Sequence, residues 1–459
     1  MDKQIVIKIL KFSIPVIITN LLQTAYNIVD TFWVGRLGKE AVASVSISTP
    51  IIFLLVSLAG GLGIAGSILV SHVKGKNDQK LINHISSQTI LIMFISGIVI
   101  CILGSLLSKS IILLMLDDPN IIENAILYLR YSFISVIPMF LFFSFQSLLR
   151  AVGNTKAPMY IVLFSVLLNI ILDPILMNGF GLGVEGVAIA TLITEIISMV
   201  LAFLLLKKGN QGISVKFKNI FKPDFTLIKK IIKLGFPTSI EQISRSFSNI
   251  VIMFIVTGLG INTIASHGIS GRIFGFILIP ALGFSIAGSN LIGHSLGAEN
   301  PKEAKEIANH IISISAIFVF IFSIFTFIFA NTLAAIFIPN DPIVIKTSGT
   351  ILRYMSVIFP LIAIQISIFG ILRGSGYTKK AMALSITTSF IPAIFIFFLT
   401  KKITPDYIGL SMSYPIAEVI SLALVYIVYK RTPWETRKIT KEMEIEINTE
   451  EEMLTEVFT

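Results

Sequence analysis

Apolar residues run along this chain in unbroken stretches of about twenty, set apart by short polar connections. Wound as α-helix, a stretch of that length matches the hydrocarbon thickness of a bilayer, whereas a membrane β-barrel needs alternating segments of about ten residues. The pattern predicts twelve spanning helices, near residues 12–34, 45–70, 88–108, 125–148, 158–178, 184–206, 234–256, 264–292, 311–331, 348–371, 381–400 and 407–429. The longer connections are a basic link, 207–233, and the tail from Lys430.

The pattern also repeats. A shift of 222 positions sets Lys11 on Lys233, Pro15 on Pro237, Asn27-Ile28-Val29 on Asn249-Ile250-Val251, Leu37-Gly38 on Leu259-Gly260 and Ile64-Ala65-Gly66-Ser67 on Ile286-Ala287-Gly288-Ser289. With one residue inserted, a shift of 223 sets Leu129-Arg130-Tyr131 on Leu352-Arg353-Tyr354, and Arg150, Gly153 and Thr155-Lys156 on Arg373, Gly376 and Thr378-Lys379. The chain therefore reads as an N-lobe (1–206, spans 1–6), the link, a C-lobe (234–429, spans 7–12) and a tail (430–459). Six is even, so both lobes enter the membrane with the same polarity. The expected fold is an all-α membrane protein whose six-helix lobes are related by a pseudo-twofold axis along the membrane normal, as in transporters built from parallel repeats. Duplicated residues such as Pro15 and Gly66 read as fold requirements, for helix bending and close packing.

Composition agrees. Hydrophobic residues make up 54% of the chain and charged ones 14%, with a mean hydropathy of +0.88, which excludes an ordinary soluble protein. The net charge of +10 reads as topology rather than a nucleic-acid surface. With the N-terminus inside, 26 of the 36 Lys and Arg residues fall in inner segments and 6 in outer loops, which puts both termini in the cytoplasm. The start runs straight into a full span and reads as uncleaved. Cys101 is the one cysteine, so no disulfide is expected.

Two apolar runs carry a lone aspartate. Asp30 lies inside KFSIPVIITNLLQTAYNIVDTFWV and Asp173 near the end of YIVLFSVLLNIILDPILM. An ionised side chain at such depth is costly, so these residues mark an ion pathway or a substrate site. Tyr26 and Asn169 precede them by four positions, one turn away on the same helical face. The device is not duplicated: Asp30 falls on Ile252, Asp173 on Ile396, Tyr26 on Ser248 and Asn169 on Pro392. Elsewhere, Glu241 and Arg245 share a helical face and pair, with a cavity role as the sharper alternative. Arg150, Lys156, Arg373 and Lys379 belong to inner loops, Glu185 and Glu195 flank span six, and His72 and His294 sit at inner span ends as scaffold. Gly60, Gly61 and Gly63 suit close packing. The acidic residues Glu442, Glu444, Glu446 and Glu450 to Glu452 read as a solvated tail. No GxxxxGK[ST], HExxH, GxSxG or CxxC occurs, so the chain is not read as an enzyme.

With these motifs in view, the sequence resembles the multidrug and toxic compound extrusion (MATE) family over nearly its whole length. The likeness rests on the PxxxxxLxxxxYNIVDTFWVGRLG opening, LLRAVGNTKAPM after span four, LNIILDP in span five and GVEGVAIATLITE in span six. It implies efflux of cationic or amphipathic drugs across the plasma membrane in exchange for H+ or Na+, without ATP or another cofactor, by a protein acting as a monomer. Within the family the chain is similar to the DinF-like branch. That maps ion coupling onto Asp30 and Asp173, with Tyr26, Asn169 and Thr191 as hydrogen-bonding neighbours in the substrate cavity and Tyr128 as a looser match. No metal site is expected; Na+ at Asp30 and Asp173 is the alternative to H+ as coupling ion.

Depth supports that grouping. Thr191 in span six, which runs inward, reaches nearly the level of Asn169 in span five, which runs outward. Two carboxylates in one low-dielectric cavity cannot both stay charged cheaply, so the pair should accept a proton when it faces outside. A lipid-linked precursor flippase has similar architecture, but it would be expected to line its cavity with basic residues. Only Arg130, Arg245, Arg272 and Arg353 fall within spans. A channel is the third reading, distinguished by flux that is not gradient-coupled.

Overall fold

The computed structural model describes residues 3–115, 119–209, 211–215, 220–403 and 405–439. The acidic tail residues named above lie outside that set. Among the described residues are twelve long α-helices: α1 (Lys3–Arg36), α2 (Lys39–Gly75), α3 (Gln79–Met115), α4 (Pro119–Ala151), α5 (Lys156–Pro174), α6 (Gly183–Lys208), α7 (Phe225–Thr257), α8 (Ile261–Gly297), α9 (Pro301–Phe337), α10 (Pro342–Gly374), α11 (Thr378–Leu399) and α12 (Asp406–Arg431). A π-helical turn, Ile175–Gly179, extends α5. The helices outrun the predicted spans. The 37 residues of α2 make about 55 Å of helix, so its ends project beyond the hydrocarbon. Eleven of the twelve are long and apolar enough to cross a membrane. The twelfth, α7, is just as long, but Glu241, Gln242, Arg245 and Asn249 interrupt its apolar run.

Packing follows the inverted logic of a membrane protein, with small residues inward and large apolar ones outward. On α9 the buried stripe is Ala304, Ala308, Ile311, Ser315, Val319, Ser323, Thr326 and Ala330, while Phe320, Ile321, Phe325, Phe327 and Ile328 are exposed. Helix starts are set by local chemistry. Asp341 caps α10 by accepting from the amides of Ile343 and Val344 at 3.0 Å, with Pro342 in the first turn, where its missing N–H costs nothing.

The helices form two compact units, and these do not follow the link. The N-lobe unit contains Ile18–Ser239; the C-lobe unit contains Met1–Ile17 and Ile240–Lys438. The first and seventh helices are each shared, dividing two residues beyond the duplicated Pro15 and Pro237. Proline removes one backbone hydrogen bond and bends a helix. Ile5, Ile9, Phe12 and Val16 are buried with Phe284, Leu291 and Leu372 in the C-lobe core. Leu227, Ile231 and Leu234 are buried with Ile68, Leu148 and Leu206 in the N-lobe core.

Two glycines mark these insertions. A Cβ on Gly61 would collide with Ser239, and one on Gly283 would collide with Ile17. Both pairs obey the 222-residue shift. At the α1–α2 and α7–α8 corners, Gly38 (φ 108°) and Gly260 (φ 89°) adopt a backbone that side chains resist. The link is tied down as well: Gln88 of α3 donates to the Lys222 carbonyl at 2.8 Å and accepts from the Asp224 amide at 3.0 Å.

Candidate functional site

In the N-lobe unit, four helices bring polar groups to one place. Asp173 is the last residue of α5 before Pro174, whose missing N–H leaves a carbonyl of the preceding turn without its helical partner. There the helix widens into the π turn, closed by the Phe180 amide on the Ile175 carbonyl at 3.0 Å. Such turns recur at functional sites. Asp173 is fully buried, as is Asn169. Asn169 donates its amide to Asp173 Oδ1 at 3.0 Å, the one-turn pairing that their spacing predicts.

Asp30, half-buried on α1, comes within hydrogen-bonding reach of both Asp173 and Asn169. Yet Asp30 Oδ1 and Asp173 Oδ2 are buried without a donor among the described residues. Two bare carboxylates cannot bond each other; a single proton between them would supply the missing donor. Tyr26 shares a hydrogen bond with Thr194 Oγ1 at 3.1 Å. Thr194 in turn donates to the Thr191 carbonyl at 2.8 Å, and Thr191 also faces the Tyr26 hydroxyl. Tyr128 of α4 lies in electrostatic range of Asp30, Asp173 and Glu195. The six N-lobe residues expected from the sequence are therefore neighbours.

The structure adds Thr194 and Glu195. Glu195 of α6 acts electrostatically on both Asp30 and Tyr26, and its Oε2 is buried without a donor. It does not flank the span: it lies at the middle of α6, four residues after Thr191 on the same face. A lone charge inside an apolar run was the available signal. Among the described residues, the three carboxylates are not gathered closely enough to ligate one metal ion.

In the C-lobe unit, Glu241 and Arg245 pair as their spacing predicts, at 2.8 Å. Arg373 joins them from α10, donating to the same Glu241 oxygen at 3.2 Å and to Ser285 at 3.0 Å. Arg245 also donates to Ser385 at 3.1 Å and stacks on Phe369. Glu241 is fully buried, and its partners make it a tie among α7, α8, α10 and α11. Arg373, expected from its loop context to serve topology or lobe anchoring, is a buried cation of α10 that ties helices within the C-lobe unit.

Two compact units of long apolar helices, each enclosing carboxylate oxygens without a donor among the described residues, define a multi-pass membrane protein of the transporter class. The MatE family model matches residues 15–175 and again 237–398, blocks offset by the same 222 and 223 positions as the internal repeat. The chain belongs to the MatE family. It is 28% identical over 440 residues to Probable multidrug resistance protein YoeA of Bacillus subtilis, covering 94% of each chain. It is 26% identical to the Multidrug export protein MepA of Staphylococcus aureus, covering 93% of this chain and 95% of that one. Among solved structures, a MATE in complex with MaL6 superposes with a TM-score of 0.88 at 23% identity, over 92% of this chain and 95% of that one. An outward-facing multidrug resistance MATE family transporter superposes with a TM-score of 0.87 at 24% identity, over the same shares.

Proposed function

We propose that this protein exports cationic or amphipathic compounds in exchange for protons, by alternating access, with Asp30 and Asp173 as the coupling pair. The reading places it in the cell membrane with both termini in the cytoplasm and in the DinF-like branch. One observation carries it: two aspartates on different helices share a buried site in which each keeps an oxygen without a donor. Unprotonated, the pair, with Glu195 nearby, attracts an organic cation, aided by the ring faces of Tyr26 and Tyr128. A proton arriving from outside bridges Asp30 and Asp173, removes one negative charge and weakens the hold on the cation, which leaves. The proton drives the cycle because it binds the two conformations unequally. The multidrug resistance in YoeA's name and the multidrug export in MepA's support drugs as the cargo.

The test is ethidium transport in vesicles with an imposed proton or sodium gradient. A proton gradient should drive transport, and Asp30→Asn and Asp173→Asn should each slow it by at least about tenfold, a loss of 1.4 kcal/mol or more from a low-dielectric charge site. Transport driven by sodium alone, or unaltered in both variants, overturns the proposal.

A further inference from the structure

The last helix of each lobe carries a carboxylate at its midpoint, and the two obey the internal repeat. A shift of 223 sets Gly186 on Gly409, Glu195 on Glu418 and Ser198 on Ser421. Structure supports the pairing independently. A Cβ on Gly186 would strike the Leu176 carbonyl, within the π turn that extends α5, and one on Gly409 would strike the Leu399 carbonyl at the end of α11. Both helices are 26 residues long, with the glutamate halfway along. At that depth an ionised side chain is tolerated only with a partner, water or a task.

Glu418 has no visible partner. It is 8% exposed, and Oε1 is buried with no donor among the described residues. Its surroundings differ from those of Glu195. Ile252 and Ile396 stand at the positions of Asp30 and Asp173, both buried in an apolar cluster against which Tyr414 packs. Apart from Tyr414, the charged and titratable groups of α12, Asp406, Tyr407, Tyr426, Tyr429, Lys430 and Arg431, stand two turns or more from Glu418 along the helix. On α12 itself Tyr414 lies one turn back, its hydroxyl directed at His267 Nδ1 of α8 at 3.4 Å. From α11 come Lys379 and Lys380, both in the first turn, where Lys380 donates to Thr432 at 3.0 Å. From α10 come Lys346, Arg353, Tyr354 and Arg373, the last committed to Glu241 and Ser285. An uncompensated carboxylate so placed serves no packing end: an alkyl side chain would fill the space at lower cost.

We propose that Glu418 is a second proton-exchanging carboxylate, housed in the C-lobe unit and working independently of Asp30 and Asp173. It holds a proton while its surroundings are dry. When an organic cation comes beside it, the proton passes to water and the carboxylate balances the cation's charge. The inference rests on the cation-for-proton reading above and adds a second proton to the exchange.

The experiment is proton release on ligand binding. Full-length protein in detergent, weakly buffered with a pH-sensitive dye, is titrated with ethidium. Wild type should release protons, and Glu418→Gln should release about half as many, one of two exchanging sites being gone. Release from Glu418→Gln equal to wild type overturns the second site and leaves the aspartate pair standing. No release from wild type overturns both readings. If Glu418→Gln does not fold, the triple variant Asp30→Asn, Asp173→Asn, Glu195→Gln decides: continued release on ethidium binding supports Glu418, and none removes it.

Discussion

Asn169 presents an amide donor to a buried carboxylate, so the charge on Asp173 rests in part on that side chain. A hydrogen bond to a charged group contributes about 1.5–3 kcal/mol. Asn169→Ala should therefore slow proton-driven ethidium efflux by about tenfold or more, with the protein still inserted and monodisperse on gel filtration. The Tyr26–Thr194 bond joins two neutral hydroxyls and is weaker. Thr194→Val should slow efflux only by about two- to tenfold, as expected for about 0.5–1.5 kcal/mol, and a larger loss would show that Thr194 touches the cargo directly. At this scale the sequence was readable where a charge broke an apolar run, which is how Asp30 and Asp173 stood out. Glu195 stands at the centre of the predicted span, 184–206, so its position was legible; grouping it with Glu185 as a flanking residue overlooked a lone charge inside an apolar run. Thr194 escaped because a threonine in a helix ordinarily satisfies itself on its own backbone, and sequence does not tell which hydroxyls look outward to a partner.

Among the elements, helix count and order were legible, because each depends only on the length of apolar runs and on the repeat. What could not be read was which unit each half of α1 and α7 belongs to, since the packing partners of a helix are not written in its hydropathy. The close contacts at Gly61 and Gly283 hold the answer and can be probed. Gly61→Ala and Gly283→Ala should each lower the melting temperature, through about 1–3 kcal/mol of overpacking, which outweighs the helix-propensity gain of about 1 kcal/mol. Gly271→Ala on α8, where a Cβ meets nothing within 4 Å, should be neutral or stabilising in the same melt. The Glu241 tie offers a different test. Glu241→Leu leaves Arg245 and Arg373 facing each other without a counter-charge, and should cost about 3 kcal/mol or more, seen as lost folded yield. Unchanged yield and melting would mean that water or lipid already neutralises the two guanidinium groups.

For the molecule as a whole, the two units are not the two halves of the chain. Separating the halves between residues 215 and 216 divides neither helix bundle from its surroundings at a natural seam: the first half keeps Lys3–Ile17, which completes the C-lobe core, and the second keeps Phe225–Ser239, which completes the N-lobe core. Each half expressed alone should aggregate or be degraded, while both expressed together should co-purify through a tag on one and recover efflux. Stable, monodisperse single halves would contradict this division of the cores. The same reciprocity orders events at the ribosome. The N-lobe bundle lacks a wall until translation reaches the seventh helix, and the earliest residues to emerge wait for the latest helices before they are buried. Neither bundle can close early, so a prematurely terminated polypeptide is left with open grooves in the lipid and presents itself for quality control.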